Sequence, residues 1–243
     1  MPSDPEQPAL TMETTPPVQS KAREAIASLG PLYDSFGMNP RTLRFFLLEK
    51  GIDLPTHEMD ILGAENRRPA YLDINPAGQM PALQLADGTV IAETPAICEY
   101  IEELIPSPAL IGRTPEERAV TRMWWRRVEL NVCVPMVQAF YYAEALGLFE
   151  SRFRCLPEAA PGLKEKARDG MRWVDGLLDG EWLAGDRFTA ADICLYCYLD
   201  QLCDVGQPIP DECTKLQAWF DRAGDRPAAE RSIWRDRPMG MRG

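Results

Sequence analysis

The chain has 243 residues, enough for one large domain or two ordinary ones, each with its own hydrophobic core. Acidic residues outnumber basic ones by 37 to 26, and the net charge of −11 disfavours non-specific binding to nucleic acid or to an anionic membrane. No apolar run approaches the roughly 18 residues of a membrane-spanning helix, and no signal peptide is apparent. Seven scattered cysteines are typical of reduced, buried thiols, so we expect a cytoplasmic protein.

The first 30 residues are rich in proline and polar side chains, and we expect them to form a flexible extension. A short strand is predicted at residues 32–35. A helix follows, with Asn39 as its N-cap and Pro40 at its first position, and Gly51 is expected to end it. Apolar residues three and four apart give this helix one buried face, formed by Leu43, Phe46 and Leu47.

A second strand is predicted over residues 52–59, and it contains the only histidine of the chain, His57. A histidine without a cysteine, aspartate or histidine partner builds neither a metal site nor a catalytic triad. We therefore expect no metal and assign His57 to a surface position on the strand. Residues 63–71 form a polar loop that leads into a short helix.

Residues 73–81 form a turn-rich segment that ends at Met80–Pro81. A cis peptide bond is predicted there, because proline lowers the trans preference to under about 1 kcal/mol. Such a bond turns the Met80 backbone N–H and C=O outward as a short ladder for an extended peptide. Residues 82–85 alternate like a half-buried strand, and Asp87–Gly88 predicts a hairpin turn into the next strand.

Glu93, Thr94 and Pro95 come directly after this hairpin. Thr94 is predicted to be the N-cap of the next helix, with Pro95 at its first position. A helix N-terminus with a hydroxyl binds a carboxylate, and the Glu93 carboxylate binds an ammonium group. Together these residues are suited to an α-amino acid head group, and Met80 is suited to the peptide attached to it.

The second half of the chain is predicted to be helical. Pro-Ser-Pro at residues 106–108 marks a linker, and a capping box at residues 114–117 starts a long helix that runs to about residue 142, with a kink at Pro135. An amphipathic helix is predicted over residues 163–178, and Thr189 with Asp192 forms a second capping box. Two cysteines, Cys194 and Cys197, lie inside the helix that follows this box. Because redox C-x-x-C motifs sit after a strand at the start of a helix, a redox role is not favoured.

Residues 75–83 (Asn-Pro-Ala-Gly-Gln-Met-Pro-Ala-Leu) and 91–97 (Ile-Ala-Glu-Thr-Pro-Ala-Ile) resemble the glutathione-binding half of cytosolic glutathione transferases, bacterial theta-like and β-etherase-like members in particular. Two residues depart from the usual pattern. Met80 replaces valine, which is conservative, and Thr94 replaces serine, which keeps the hydroxyl. The alternative interpretation is an ordinary hairpin and helix with common caps.

This resemblance implies an α/β plus all-α fold, usually in a homodimer. A thioredoxin-like domain is expected over residues 31–106 and a helical-bundle domain over residues 110–233, with a tail at residues 234–243. The capping box at Thr189 resembles the buried box that serves folding in this family.

The resemblance also implies a glutathione site. The residues expected along the tripeptide are Gln79, Met80, Pro81, Glu93 and Thr94. In the family, the segment matching residues 63–71 often contacts the glycine carboxylate of glutathione, and Arg67 and Arg68 are suited to this as bidentate donors. A solvated, charged loop is the alternative for each arginine.

In this family the loop after the first strand holds the tyrosine, serine or cysteine that activates the glutathione sulfur. Here Met38 stands where theta-like classes carry serine, and methionine cannot donate a hydrogen bond. The remaining candidates are Ser35, Asn39 through its amide, and backbone N–H groups at the helix start. The loop has no cysteine, so omega-type disulfide chemistry is not expected.

The implied function is that of a cytoplasmic glutathione transferase in detoxification, with glutathione as co-substrate and an apolar electrophile as second substrate. The candidates for the electrophile pocket are Met38, Met123, Trp124, Arg127, Asn131, Tyr141 and Tyr142. One alternative is a non-catalytic glutathione-binding or interaction protein on the same fold, which Met38 favours. A glutathione-dependent aryl-etherase or peroxidase is also open.

Overall fold

The computed structural model describes residue 26 and residues 29–235. Of the extension expected over residues 1–30, only residues 26, 29 and 30 are described, and of the tail expected over residues 234–243, only residues 234 and 235. The first domain contains, in chain order, β1 (Leu29–Asp34), α1 (Met38–Lys50), β2 (Thr56–Glu58), α2 (Pro69–Leu72), β3 (Ala82–Leu85), β4 (Val90–Ala92) and α3 (Thr94–Leu104).

Four strands form one mixed sheet in the order β2-β1-β3-β4. The β1 and β2 strands are parallel, whereas β1–β3 and β3–β4 are antiparallel. Asp87 and Gly88 turn the β3–β4 hairpin as predicted: Gly88 has a φ of 88°, and the Asp87 carboxylate accepts a hydrogen bond from the Thr89 N–H. This arrangement confirms the thioredoxin-like α/β domain.

The first strand begins at Leu29, two residues before the predicted start of the domain at residue 31. Gly30 lies so close to β3 that a Cβ atom at this position would be 2.7 Å from the Gln84 carbonyl oxygen. The pairing of β1 with β3 is irregular between Leu29 and Leu32. Gly30 is therefore part of the sheet, at a place where two backbones approach closely.

The second strand is shorter than predicted and covers only Thr56–Glu58 of the expected residues 52–59. Pro55 immediately precedes it, and proline has no N–H to donate to a strand ladder. His57 lies on this strand with its side chain 54% exposed, which agrees with the predicted surface position.

Helix α1 has the predicted buried face, since Leu43, Phe46 and Leu47 are all buried. Gly51 ends it in the left-handed conformation and donates its N–H to the carbonyls of the last turn. Arg41 on the same helix is fully buried and pairs with Asp200 of the second domain. This ion pair holds the two domains together.

The linker between the domains wraps around a second buried ion pair, Lys50 and Glu102, whose Nζ and Oε2 atoms are 2.6 Å apart. Lys50 also donates to the carbonyls of Ile105 (2.7 Å) and Pro108 (2.8 Å). The Glu102 carboxylate accepts the N–H of Ile111 at 2.9 Å. The linker, which was predicted only from its prolines, is therefore held in place by the buried charged side chains of Lys50 and Glu102.

The regular secondary structure of the second domain is helical, as expected, apart from two isolated β-bridges within residues 182–187. It contains α4 (Pro115–Val128), α5 (Val134–Tyr142), α6 (Leu146–Phe149), α7 (Ala160–Leu177), α8 (Ala190–Cys203), α9 (Thr214–Gly224) and α10 (Pro227–Arg231). One buried core spans both domains, with α8 at its centre. No helix in the described part of the chain is long and apolar enough to cross a membrane.

A π-helical segment, Glu129–Cys133, joins α4 to α5 within the predicted long helix. It ends just before Pro135, which cannot donate a backbone hydrogen bond to the preceding turn. A π-helical turn holds one more residue than an α-helical turn. The irregularity expected as a kink at Pro135 therefore takes the form of a one-residue insertion in the helix. This insertion changes the direction in which every later side chain leaves the helix axis.

The capping box before α8 is present as predicted. Thr189 and Asp192 hydrogen-bond each other's backbone N–H groups, and both are fully buried. The Asp192 carboxylate also accepts the indole N–H of Trp219 and the N–H of Leu183, each at 2.9 Å. The Thr189 hydroxyl also donates to this carboxylate, at 2.8 Å. Burial raises the pKa of Asp192, although its four hydrogen-bond donors favour the charged form.

The substitution Thr189→Ala should lower the free energy of unfolding by about 1 kcal/mol, because it removes the side chain that caps α8. Urea unfolding followed by circular dichroism measures this change. Thr189→Ser keeps the hydroxyl and is the matched control, expected to retain most of the stability. Equal midpoints for wild type and Thr189→Ala would refute the capping role.

Candidate functional site

A cleft of about 450 Å³ opens between the two domains. The first domain lines it with the loop after β1, the start of α1, the turn before β3 and the start of α3. The second domain lines it with α4 to α6, the segment after α6, and α8. The cleft is therefore built from parts of the chain that are far apart in sequence.

Met80 lies on the first-domain side of the cleft, and the Met80–Pro81 peptide bond is cis, as predicted. Within the described residues, no hydrogen bond involves the backbone N–H or C=O of Met80. The preceding carbonyl, that of Gln79, accepts hydrogen bonds from Tyr71 (2.7 Å) and Asn75 (2.8 Å). The hydrogen bonds to the Gln79 carbonyl therefore fix the backbone next to Met80, whereas the N–H and C=O of Met80 itself remain available to a peptide.

Two further features hold this turn, and neither was predicted. The Asn66 amide donates to the Gly78 carbonyl at 2.6 Å. Gly78 has a φ of 60°, and a Cβ atom there would be 2.9 Å from the Asn66 carbonyl. A glycine three residues after Asn75, in a turn that leads to an X-Pro bond, is the sequence signal for this support.

Glu93 has a φ of 71°, a conformation that is uncommon for residues other than glycine. Its carboxylate is exposed at the cleft. Such backbone strain clusters at functional sites because the surrounding structure must enforce it.

The predicted N-cap at Thr94 was wrong, since Glu93 occupies the cap position and Thr94 is the first residue of α3. Thr94 is buried, and its hydroxyl donates to the Asn39 carbonyl at 3.4 Å. No side chain in the described part of the chain caps α3. Its first N–H groups therefore remain available for a carboxylate.

The start of α1 also differs from the prediction, because Gly37, with a φ of 136°, is the N-cap and Asn39 lies inside the helix. Asn39 is exposed, and its Oδ1 accepts a hydrogen bond from the Tyr198 hydroxyl at 2.9 Å. Met38 is buried. Ser35 lies at the base of the cleft but is only 1% exposed, and its hydroxyl donates to the Phe36 carbonyl at 3.2 Å.

The residue before Ser35 is a buried carboxyl, Asp34. Burial raises the pKa of Asp34 to about 6, and the neighbouring Arg44 guanidinium lowers it only in part. The Asp34 carboxylate accepts the Ser35 N–H at 2.8 Å and a hydrogen bond from Arg44 at the same distance. The backbone of Ser35 is therefore fixed on the side away from the cleft.

An aromatic wall faces these residues from the second domain. Tyr141, Phe149 and Phe153 pack together with ring centroids 4.4 to 5.4 Å apart. Arg152 donates to the carbonyls of Ile61 (2.6 Å) and Leu62 (2.9 Å) of the first domain. These bonds fix the wall relative to the sheet, and burial raises the pKa of Tyr141 to about 12.

Two family models match the chain: the glutathione S-transferase N-terminal domain over residues 38–104 and the glutathione S-transferase C-terminal domain over residues 141–222. Glutathione S-transferase 2 of Saccharomyces cerevisiae is 34% identical over 83% of this chain and 88% of its own length. The chain belongs to the glutathione S-transferase family.

Two further relatives extend this comparison. The crystal structure of Gtt2 from Saccharomyces cerevisiae superposes with a TM-score of 0.78 at 33% identity, covering 84% of this chain and all of that one. FtsZ-localized protein A of Caulobacter vibrioides is 31% identical over 85% of this chain and 91% of its own length. The family assignment thus rests on both domains.

Most of the side chains expected at a glutathione transferase site line this one cleft. Those from the first domain are Ser35, Met38, Asn39, Arg67, Gln79, Met80, Pro81, Glu93 and Thr94, and those from the second are Tyr141 and Tyr142. Arg68 does not line it. Its exposed guanidinium donates to the Gly63 carbonyl at 3.4 Å, whereas Arg67 donates to Ala77, beside the Gly78 turn. Only one of the two adjacent arginines therefore faces the cleft.

Three residues predicted for the electrophile pocket of the transferase, Trp124, Arg127 and Asn131, lie elsewhere. The Arg127 guanidinium lies over the rings of Trp124 and Trp173, on the side of α4 that faces α7. The Asn131 amide donates to the Arg127 carbonyl. Met123, also predicted, is 40% exposed and is not part of the cleft wall.

The residues of this predicted helix that line the cleft are Trp125, Glu129, Val134, Val137, Gln138, Phe140, Tyr141 and Tyr142. The step from Glu129 to Val134 spans five residues because it crosses the π-helical segment. Regular α-helical spacing does not hold across such an insertion, and the prediction treated this stretch as one long helix with a kink at Pro135.

Sequence reasoning also missed the polar residues that α8 contributes. Cys194, Tyr198 and Gln201 line the cleft and are four and three residues apart, the spacing of one helix face. That spacing was visible in the sequence. Cys194 and Cys197 are both buried, and burial raises the pKa of the Cys197 thiol to about 12, which opposes a redox role.

Proposed function

We propose that this protein is a glutathione transferase that binds glutathione in the cleft and transfers its sulfur to an apolar electrophile. The proposal rests on the observation that three features line the same cleft. The first two are the Met80 backbone, which has no hydrogen bond within residues 29–235, and the exposed Glu93 carboxylate at a helix start that no side chain in this range caps. The third is the aromatic wall formed by Tyr141, Phe149 and Phe153.

Each group of the tripeptide has a chemical counterpart in the first domain. The Glu93 carboxylate pairs with the γ-glutamyl ammonium group, and the start of α3 with Thr94 binds the adjacent carboxylate. The Met80 backbone forms a short ladder with the cysteinyl residue, in the manner of an added strand. Arg67 is the basic group for the glycine carboxylate.

In this arrangement the cysteine sulfur lies between the start of α1 and the aromatic wall. The thiol releases its proton to solvent, and hydrogen-bond donors near Asn39 stabilise the thiolate. The thiolate sulfur forms a bond to a carbon atom of the electrophile. In a substitution, the electron pair of the broken bond leaves with the leaving group. In an addition, that electron pair stays on the product. The apolar wall favours electrophiles with an aromatic or aliphatic body. Etherase and peroxidase chemistry use the same thiolate and remain alternatives for the second substrate.

Isothermal calorimetry with glutathione and with S-hexylglutathione tests this proposal. Both should bind, and the alkylated form should bind more tightly because its chain enters the apolar part of the cleft. One buried methylene contributes about 0.8 kcal/mol, so even partial burial of the hexyl chain gives a gain of roughly tenfold or more. Absence of binding by both ligands would overturn the transferase proposal and leave the fold assignment unchanged.

A non-catalytic role on the same fold is the second candidate. Met38 favours it, because methionine offers no hydrogen bond to a thiolate, and FtsZ-localized protein A is among the relatives. The pKa of the glutathione thiol in the complex separates the two functions. A transferase lowers it below the free value of about 8.5, and a protein that only binds glutathione leaves it there. Thiolate absorbance measured against pH gives this value.

We also propose that the protein is a cytoplasmic homodimer, as is usual in the family. Its reduced cysteines support the compartment, since all seven are free thiols in the structure. Sedimentation equilibrium should give twice the monomer mass. A monomer at micromolar concentration would contradict the dimer without affecting the proposed chemistry.

A further inference from the structure

The start of α1 offers few side-chain donors for a thiolate. Met38 has none, and it is buried. Ser35 is 1% exposed, and the Phe36 carbonyl already accepts its hydroxyl hydrogen. Asn39 is exposed on the cleft, and its Nδ2 has no hydrogen-bond partner within the described residues. The Asn39 amide is therefore the free side-chain donor on this helix turn.

The orientation of this amide is set by Tyr198, which is 159 residues away in sequence. The Tyr198 hydroxyl lies 2.9 Å from the Asn39 Oδ1. Tyr198 is buried, and no other acceptor for its hydroxyl is present in the described part of the chain. If the amide were reversed, its NH₂ group would meet the phenol oxygen and the buried phenol hydrogen would have no partner, which costs about 1–3 kcal/mol.

Asn39 also lies between the two halves of the cleft. Its backbone carbonyl accepts the Thr94 hydroxyl on the glutathione side at 3.4 Å. Its side chain contacts Tyr198, next to the aromatic residue Tyr141 and to Glu129 of the second domain. With its Oδ1 bound by the second domain and its backbone carbonyl next to Thr94, the exposed Asn39 amide lies at the junction of the two halves of the cleft, where we place the sulfur atom of bound glutathione.

We propose that Tyr198 is a positioning residue of the reaction: its hydroxyl holds the Asn39 carboxamide so that the NH₂ group donates to the glutathione thiolate. This inference rests on the proposed function. Tyr198 keeps its proton throughout, and the thiol proton leaves to solvent. Through Tyr198, helix α8 of the second domain thereby orients a hydrogen-bond donor for the thiolate, in place of the hydroxyl that Met38 lacks.

The environment of Tyr198 keeps its hydroxyl protonated, so that this hydroxyl acts as a hydrogen-bond donor. Burial raises its pKa well above the ordinary value, and the neighbouring Cys194, Cys133, Tyr141 and Glu129 raise the pKa further. A neutral phenol at all working pH values has one hydrogen to donate, and the Asn39 Oδ1 receives it.

The test is Tyr198→Phe, which removes one oxygen atom and retains the ring. The pKa of bound glutathione should rise toward the free value by about one unit, and kcat with an activated aryl halide should fall roughly tenfold, as expected for one lost hydrogen bond to a charged group. The KM for glutathione should stay unchanged, because the peptide contacts are made elsewhere. Asn39→Ala should raise the thiol pKa equally, and the double variant should raise it no further.

Tyr196→Phe is the matched control, since Tyr196 lies on the same helix but packs against Phe45 and Phe220 outside the cleft. It should leave the thiol pKa unchanged. If Tyr198→Phe does not fold, Tyr198→Met serves instead: it also removes the hydroxyl and keeps a long apolar side chain in the buried site, so the thiol pKa should rise by the same amount.

These measurements distinguish a failure of the proposed function from a failure of the positioning role of Tyr198. A wild-type protein that binds no glutathione, or that leaves the thiol pKa at the free value, overturns the proposed function itself. A wild-type protein that lowers the thiol pKa, with Tyr198→Phe lowering it equally, overturns only the positioning role of Tyr198. Additive effects in the double variant would also overturn it, because the two residues would then act independently.

Discussion

The substitution Asp192→Ala should lower the free energy of unfolding by about 3–5 kcal/mol, a large share of the 5–15 kcal/mol that stabilises an ordinary domain. The Asp192 carboxylate is fully buried and accepts four hydrogen bonds, from the backbone and hydroxyl of Thr189, the N–H of Leu183 and the indole of Trp219. Its removal leaves all four donors without an acceptor in an apolar interior. Urea unfolding followed by circular dichroism at 222 nm measures the loss.

Two further variants separate the causes of this effect. Asp192→Asn keeps the volume but presents an NH₂ group to donors, so it should also destabilise the protein strongly. Asp186→Ala, at an exposed site in the same loop, should change stability by less than about 0.5 kcal/mol. An unchanged unfolding midpoint for Asp192→Asn would show that the side chain fills space and that its hydrogen bonds contribute little.

The local signals in the sequence predicted local structure well. Asp87–Gly88 makes a hairpin turn, Gly51 ends α1, and Thr114 accepts the Glu117 N–H at the start of α4. Each of these features depends on a few neighbouring residues, because turns and caps are closed by hydrogen bonds within one turn of chain. The Glu117 side chain differs slightly from a full capping box, since it accepts the N–H of Arg113.

Three of the features that were predicted wrongly or missed have a different origin, which is a partner distant in sequence. Gly30 was assigned to the extension because nothing local shows that the Gln84 carbonyl lies against it. Asn39 was assigned as an N-cap because that is its local preference, whereas its side chain binds Tyr198 from the other domain. The buried Arg41 was not predicted at all, since its partner Asp200 lies in α8.

The second-domain side of the cleft was predicted least well, and the π-helical segment explains why. Placing side chains around a helix axis assumes 3.6 residues per turn. One inserted residue changes the direction of later side chains by roughly 100°. Tyr141 lines the cleft and Trp124 does not, so a single regular helix does not describe the directions of the side chains on both sides of Glu129–Cys133.

Glu93→Gln should weaken glutathione binding by about 1.5–3 kcal/mol, or roughly 10- to 150-fold, because it removes the charge of a charged hydrogen bond and preserves the shape. The Glu93 side chain is exposed at the cleft, so the melting temperature should not change. Thr94→Val should weaken binding by a similar amount by removing the hydroxyl at the start of α3. Calorimetry with glutathione measures both effects.

The matched controls are on the same helix. Glu103→Gln changes an equal charge that pairs with Arg118 outside the cleft, and Thr94→Ser keeps the hydroxyl. Both should bind glutathione as the wild type does. Unaltered affinity in Glu93→Gln would mean that the ammonium group of the ligand lies elsewhere. The strained backbone at Glu93 would then need another explanation, since a φ of 71° costs of order 1–3 kcal/mol in a residue with a side chain. A loss in Glu93→Gln but not in Glu103→Gln would tie that strain to holding the carboxylate at the ligand.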